Sequence, residues 1–226
     1  MLFNKKAHLF KDGLFLCKFK KSFSLIEIIF ILILLSIVSV YSIPKKQFPK
    51  LNIVKEQIIS HLKYTRYIAM LDNKYYEKDK YWYKKLWNIK FLNCNKDVGG
   101  MYYVIYSNTI NPTKWNISKD ETLIDPFTNN YIYSTSKCEQ DSLYDKSKYV
   151  LLSSYYGIDK ILISCNDTSS LGQIYFDNNG SGYSYINNNY DYFKEYMITD
   201  NCIIKLYDKN NNEENITIEG NTGYIY

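Results

Sequence analysis

A chain of 226 residues with a net charge of +5 is long enough for one domain and an appendage, and the charge could suggest an anionic partner. The excess is local, because six lysines and one acid lie in residues 1–22, leaving 22 of the 28 basic and 22 of the 23 acidic residues to the rest of the chain. Since that remainder is neutral, the overall charge does not indicate a nucleic-acid-binding protein.

An apolar segment at residues 23–43 follows the basic stretch. As a helix, its 21 residues would extend about 31 Å, close to the ~30 Å hydrocarbon core of a bilayer, which predicts a transmembrane helix. Glu27 is its only charged residue. A carboxylate costs about 2.5–3.5 kcal/mol at the centre of a membrane helix and usually has a partner or a function, so we expect Glu27 to have one.

Three other interpretations of this segment remain open. A secretory signal peptide has a shorter apolar region and would be cut near residues 39–42, SVYS. A lipoprotein anchor at Cys17 fits less well, because lysine and aspartate interrupt the residues before it. A plain signal anchor explains the length of the segment but gives Glu27 no role.

The stretch KKSFSLIEIIFILILLSIVSVYSIP resembles the prepilin-type cleavage and methylation motif of type IV pilins and type II secretion pseudopilins. In that family a basic leader is cut before an aromatic residue, glutamate is fifth in the mature chain and proline is commonly twenty-second. With Phe23 as the first residue, Glu27 is fifth and Pro44 is twenty-second, while Ser22 replaces the usual glycine. The resemblance implies cleavage between Ser22 and Phe23 and N-methylation of Phe23. It also implies that Glu27 pairs with the new α-ammonium of a neighbouring subunit during assembly.

The resemblance also implies a function and a set of partners. The chain is expected to be a minor pilin or pseudopilin that prepilin peptidase processes. With other pilins and the inner-membrane assembly platform, it would form a periplasmic filament for type II protein secretion. The localisation would be the bacterial inner membrane, single-pass, with residues 1–22 as a cytoplasmic leader and the C-terminal domain in the periplasm. The alternatives are a minor pilin of a type IV pilus or DNA-uptake system, and a signal-anchored periplasmic protein of another function.

Residues 44–73 are predicted to continue the helix, kinked at Pro44 and Pro49. Apolar residues at steps of three and four form one helical stripe with Thr65 as its polar member. The stripe consists of Leu51, Val54, Ile58, Leu62, Thr65 and Ala69. Arg66 and Ala69 also match an Arg-x-x-Ala segment of GspH/FimT-like minor pseudopilins.

Residues 74–226 are predicted to form a β-rich domain with turns at 177–182 and 208–215. The predicted strands are WNIKFL, MYYVIYS, YIYS, YVLLSSYY, KILISC, QIYFD, CIIKLYD, NITIE and GYIY. Many short strands without alternating helices favour an antiparallel sandwich. The expected fold class is α+β, with a long N-terminal transmembrane and amphipathic helix packed on a pilin-like antiparallel β-sandwich. The closing segments GQIYFDNNGSG and NITIEGNTGYIY resemble those of GspH/FimT-like proteins.

Four cysteines lie beyond the leader: Cys94, Cys138, Cys165 and Cys202. An even number in an oxidising compartment predicts two disulfides, and four cysteines allow three pairings. Pairing of sequence neighbours, Cys94 with Cys138 and Cys165 with Cys202, is favoured because such neighbours often share a sheet or its loops. A zinc site is less favoured, since no pair has C-x₂₋₄-C spacing.

No catalytic motif, metal site or cofactor is expected. His61 is interpreted as a partly exposed helix residue, and no G-x-S-x-G, H-E-x-x-H or phosphate-binding glycine loop occurs. Residues 74–91 interleave aromatic residues with lysines, so Lys84 and Lys85 could contact DNA phosphates. A solvated connection leading into the first strand is the favoured interpretation, and nucleic acid is not the expected partner.

Overall fold

A computed structural model describes residues 24–42, 50–113, 117–139, 144–165, 171–185 and 190–226, except for the side chains of residues 39–42 and 190–192. The chain divides into two compact units, Met1–Gln47 and Phe48–Tyr226. Among the described residues, the first unit holds helix α1 (Leu25–Ser42). The second holds helix α2 (Lys50–Leu71), two β-sheets and two disulfides.

The two helices are separate and short, with 18 residues in α1 and 22 in α2. Pro44 and Pro49 lie between them in the sequence, and proline disfavours helix both at its own position and at the residue before it. The predicted fold class, with one long N-terminal helix packed on a β-sandwich, is therefore wrong. The structure is α+β with antiparallel sheets and short helices.

Neither helix meets the requirements of a membrane span. The 18 residues of α1 extend about 27 Å, less than the ~30 Å hydrocarbon core, while α2 carries charged residues along its length. Within the described parts of the chain, no helix is both long enough and apolar enough to cross a membrane. This finding overturns the predicted transmembrane helix at 23–43 and, with it, the single-pass inner-membrane localisation.

In the described parts of the chain, seven strands form two antiparallel sheets. They are β1 (Trp87–Asn93), β2 (Met101–Tyr106), β3 (Ile158–Ile163), β4 (Gln173–Phe176), β5 (Gly182–Tyr183), β6 (Cys202–Asp208) and β7 (Glu213–Ile218). The first sheet has the order β2-β1-β4-β5 and the second the order β3-β6-β7. Short 3₁₀ turns at Trp82–Lys85, Lys119–Glu121, Lys148–Val150 and Tyr190–Tyr196, and a π-turn at Leu152–Tyr156, connect them.

Aspartates fix the two hairpin turns that the sequence predicts. In the β4–β5 turn, Oδ1 of Asp177 accepts hydrogen bonds from the backbone N–H groups of Asn179 and Ser181, each at 2.9 Å. Asp208 does the same in the β6–β7 turn, with the N–H groups two and four residues later at 2.8 and 2.9 Å. These Asx interactions replace the ladder hydrogen bonds that the backbone gives up at a reversal of direction.

Helix α2 packs against strands of both sheets, namely β1, β4, β6 and β7. The stripe predicted along residues 51–69 is confirmed, since all six of its members are buried. Ile59 and His61 are buried as well, so the covered side of the helix is wider than the stripe alone. Burial on this side gives α2 most of its stability, because an isolated helix of this length is marginal in water.

Candidate functional site

Helix α1 presents apolar side chains on every side. Twelve large apolar residues are exposed by 41% to 77% of their surface, and they are Leu25, Ile26, Ile28–Leu35, Ile37 and Val38. Consecutive helical residues lie 100° apart, so such a run leaves no polar side for water. A helix that is apolar all round is typical of one that is buried among other apolar elements.

Glu27 is the only charged residue of α1 and lies in its first turn. The backbone N–H groups of Glu27 and Ile28 both donate to the carbonyl of Ser24, at 2.9 and 3.2 Å, which closes this turn. The partial positive charge at the helix N-terminus favours a carboxylate here. The helix therefore carries one exposed anionic group at the start of an otherwise apolar surface.

The other residues predicted for processing and assembly cannot be placed beside Glu27. Ser22, Phe23 and Pro44 lie outside the described residues, so the cleavage position and the assembly role of the proline stay predictions. Within α1, the hydroxyl of Ser36 donates to the carbonyl of Ile33 at 2.7 Å. Its polar group is thus satisfied inside the helix and does not interrupt the apolar surface.

Arg66 on α2 joins two loops in the outer unit. Its Nε donates to the carbonyl of Gly180 at 2.9 Å, and its Nη2 donates to the carbonyl of Thr222 at 3.0 Å. Gly180 has φ +79°, and an added Cβ there would lie 2.7 Å from Arg66 Nη2. The arginine of the Arg-x-x-Ala segment therefore fixes the β4–β5 turn and the C-terminal turn, while Ala69 is buried.

A buried polar network, missed from the sequence, connects α2 with β2. The hydroxyl of Tyr103 lies 2.7 Å from Nδ1 of His61 and accepts a hydrogen bond from Gln57 Nε2, also at 2.7 Å. Gln57 also donates to the carbonyl of Tyr149 at 2.9 Å and accepts from the hydroxyl of Tyr156. His61 is only 5% exposed, so its interpretation as a partly exposed helix residue is wrong.

Protonation states in this network follow from burial. Loss of hydration lowers the pKa of His61, partly opposed by the charge of Asp125, and raises that of Tyr103 well above its usual range. A neutral imidazole can accept the Tyr103 proton at Nδ1, while Tyr103 accepts from Gln57. Each donor hydrogen of the Gln57 amide and of the Tyr103 and Tyr156 hydroxyls then has one acceptor.

The two lysines predicted to contact DNA are both engaged within the protein. Lys85 Nζ lies 2.6 Å from a carboxylate oxygen of Asp79, and this bond is the main reason that the pKa of Asp79 is lowered. Lys84 is 7% exposed and its Nζ lies 5.3 Å from the ring centre of Tyr81. Burial lowers the pKa of Lys84, which makes its charged form less favourable.

The predicted disulfide bonds are present. Cys94 is bonded to Cys138 with a Cα–Cα distance of 5.8 Å, and Cys165 to Cys202 with 5.1 Å. These are the pairs favoured by sequence proximity. Both distances lie in the usual range for disulfides, which persist in oxidising compartments.

Comparison with known proteins adds no further assignment, since no family model, curated protein or solved structure matches the chain.

Proposed function

We propose that this chain is a structural subunit of a pilin or pseudopilin filament, processed by prepilin peptidase between Ser22 and Phe23 and assembled through α1. It would join other pilins in a filament that serves type II protein secretion. The observation that carries the proposal is α1 itself, whose apolar surface is exposed on every side and whose single charge is Glu27. The two disulfides support a protein that folds in an oxidising compartment.

Packing of α1 against like helices would cover its apolar surface, and Glu27 would select the arrangement. A carboxylate among apolar helices is stabilised only beside a positive partner, and an unpaired one costs several kcal/mol. Cleavage before Phe23 would place a new ammonium four residues before Glu27. That group would supply the positive partner from a neighbouring subunit at one axial offset.

The first experiment determines the mature N-terminus by mass spectrometry, in cells with and without prepilin peptidase. We expect a chain that begins with N-methylated Phe23 when the peptidase is present, and a chain that retains residues 1–22 when it is absent. A protein that keeps its leader in cells whose other prepilins are trimmed contradicts the proposal.

The second experiment measures incorporation of Glu27→Ala into sheared filaments. Glu56→Ala, which removes an exposed acid from α2, is the matched control. We expect Glu27→Ala to be cleaved normally but to enter filaments at least about tenfold less, because the buried amine then has no partner. Equal incorporation of the two variants would show that Glu27 has no role in filament assembly.

DNA uptake is not proposed as a second function. Lys85 forms an ion pair with Asp79 and most of Lys84 is buried, so neither lysine gives DNA binding specific support.

A further inference from the structure

Three of the four outer edges of the two sheets are bonded to other parts of the chain. On β2, the N–H of Ile105 donates to a loop carbonyl at 3.1 Å, and on β5 the N–H of Ile198 donates to the carbonyl of Gly182 at 2.9 Å. On β7, Thr217 and Tyr226 exchange two backbone hydrogen bonds, at 2.8 and 3.0 Å. Such cover occupies backbone groups that could otherwise pair with another chain.

Strand β3 forms the fourth edge, because it lies beside β6 alone in its sheet. The N–H of Ser164 donates to the carbonyl of Ile203 at 3.0 Å, so in the antiparallel register Lys160 and every second residue after it bond to β6. Ile161 and Ile163 therefore direct their N–H and C=O groups away from β6. Across the described parts of the chain, no hydrogen bond reaches these outward groups. The edge thus offers two donors and two acceptors.

The side chains of β3 show where another strand can reach this edge. Leu162, between the two outward residues, is 43% exposed although it is apolar. Lys160 is exposed as well, and the register shift between Ile158 and Lys160 marks a bulge at the start of the strand. Bulges and edge lysines oppose strand pairing. Pairing is therefore restricted to the part of the edge centred on residues 161–163.

We propose that β3 pairs with β3 of a second copy of this chain, antiparallel about a two-fold axis at Leu162. In that register Ile161 lies opposite the partner's Ile163 and the reverse, so their outward N–H and C=O groups form four hydrogen bonds. The two Leu162 side chains face each other and lose their contact with water. Lys160 lies opposite the partner's Ser164, and the two lysines are about 14 Å apart, so like charges do not meet.

Self-complementarity favours a second copy over an unrelated strand as the occupant. The same two residues supply every donor and every acceptor, and the only exposed leucine of the strand meets its own counterpart. The paired edge is short, which is typical of a weak and transient contact. It uses no residue of α1, so this pairing and filament assembly through α1 can fail separately.

The first test places single cysteines on β3 of the full chain and oxidises the purified protein mildly. In the proposed register, Leu162→Cys brings two cysteines directly opposite each other with Cα atoms about 4.5–5.5 Å apart, which a disulfide can span. Lys160→Cys is the matched control, because it lies on the same exposed edge but leaves its cysteines about 14 Å apart, beyond the limit of about 7 Å.

We expect at least about tenfold more disulfide-linked dimer from Leu162→Cys than from Lys160→Cys, because only the first pair lies within disulfide reach. The parent chain gives the background. Equal yields from the two variants, or a Leu162→Cys yield no higher than that background, would overturn the proposal. The same result would follow if β3 took up a strand of a different protein.

The second test measures amide hydrogen exchange of the unmodified chain by NMR at two protein concentrations. The outward N–H groups of Ile161 and Ile163 gain partners only on pairing, whereas the N–H of Leu162 is bonded to β6 at every concentration and is the internal control. Raising the concentration about a hundredfold should slow exchange at both isoleucines at least about threefold and leave Leu162 unchanged. Exchange at the isoleucines that is independent of concentration contradicts the pairing, whether or not the cysteine variants fold.

Discussion

Replacement of Tyr103 by phenylalanine removes one hydroxyl from the contact between α2 and β2. That hydroxyl lies 2.7 Å from Gln57 Nε2 and 2.7 Å from His61 Nδ1. Gln57 retains the carbonyl of Tyr149 at 2.9 Å, whereas Nδ1 of His61 has no second partner among the described residues. The ring itself still packs against Phe91, so the change is almost purely one of hydrogen bonding.

The expected cost combines two effects. Leaving the buried His61 acceptor unsatisfied costs about 1–3 kcal/mol, and loss of the bond from Gln57 costs about 0.5–1.5 kcal/mol. The free energy of unfolding of the Tyr103→Phe protein should therefore be lower by about 1.5–4.5 kcal/mol. Little cavity is created, because phenylalanine fills the space of the tyrosine ring.

Urea unfolding followed by intrinsic fluorescence measures this difference, with an unchanged m-value as the sign that only stability has changed. Tyr67→Phe is the matched control, because Tyr67 lies on α2 and is 57% exposed. Its stability should stay within about 0.5 kcal/mol of the parent protein. A Tyr103→Phe protein as stable as this control would refute the assignment of a stabilising network.

Three further changes test other contacts. The pKa of His61 is lowered in the folded protein, whereas in the unfolded chain the imidazole takes up its proton at about pH 6.5. The contribution of neutral His61 to the free energy of unfolding should therefore be complete above that pH. The free energy of unfolding should decrease as the pH falls toward the native pKa. The urea midpoint of the His61→Gln protein should decrease less over the same pH range than that of the parent protein. Arg66→Lys removes the planar guanidinium that donates to two carbonyls, so the free energy of unfolding should decrease by about 1–2 kcal/mol in thermal or urea unfolding. An unchanged midpoint would show that this contact does not stabilise the protein. The Cys165→Ser/Cys202→Ser protein loses a crosslink across 37 residues and should be less stable by about 4 kcal/mol under oxidising conditions. In reductant the difference from the parent protein should vanish.

Local sequence signals predict most of the strands but not all of the structure between them. Six of the seven strands coincide with short β-branched and aromatic runs, and the exception is β5, whose two residues are too few to form a pattern. The run Tyr149–Tyr156 is wrongly predicted as a strand and instead lies in 3₁₀ and π turns. An apolar run without alternation does not distinguish these conformations, and Gly157 at φ +78° ends the π-turn.

The candidate sites divide along the same line between local and distant interactions. The α2 stripe and the Asp177 turn depend on residues close in sequence, so spacing alone predicts them. The partner of His61 lies 42 residues away on β2. Such contacts require the strand register, which the sequence pattern does not provide.

The α1 helix shows why one charge can matter in an otherwise uniform surface. Burying half of its twelve exposed apolar side chains at roughly 1.5–3 kcal/mol each would contribute about 9–18 kcal/mol, against an association cost of about 4–15 kcal/mol. Over most of these ranges packing against like helices would be favourable, but leucine and isoleucine on every side distinguish poorly between axial offsets. In the proposed filament Glu27 would supply the distinction, because each offset that leaves it buried and unpaired would lose several kcal/mol. Without Glu27, α1 helices should still associate through their apolar surfaces but at no preferred axial offset. We therefore expect disordered aggregates in place of filaments.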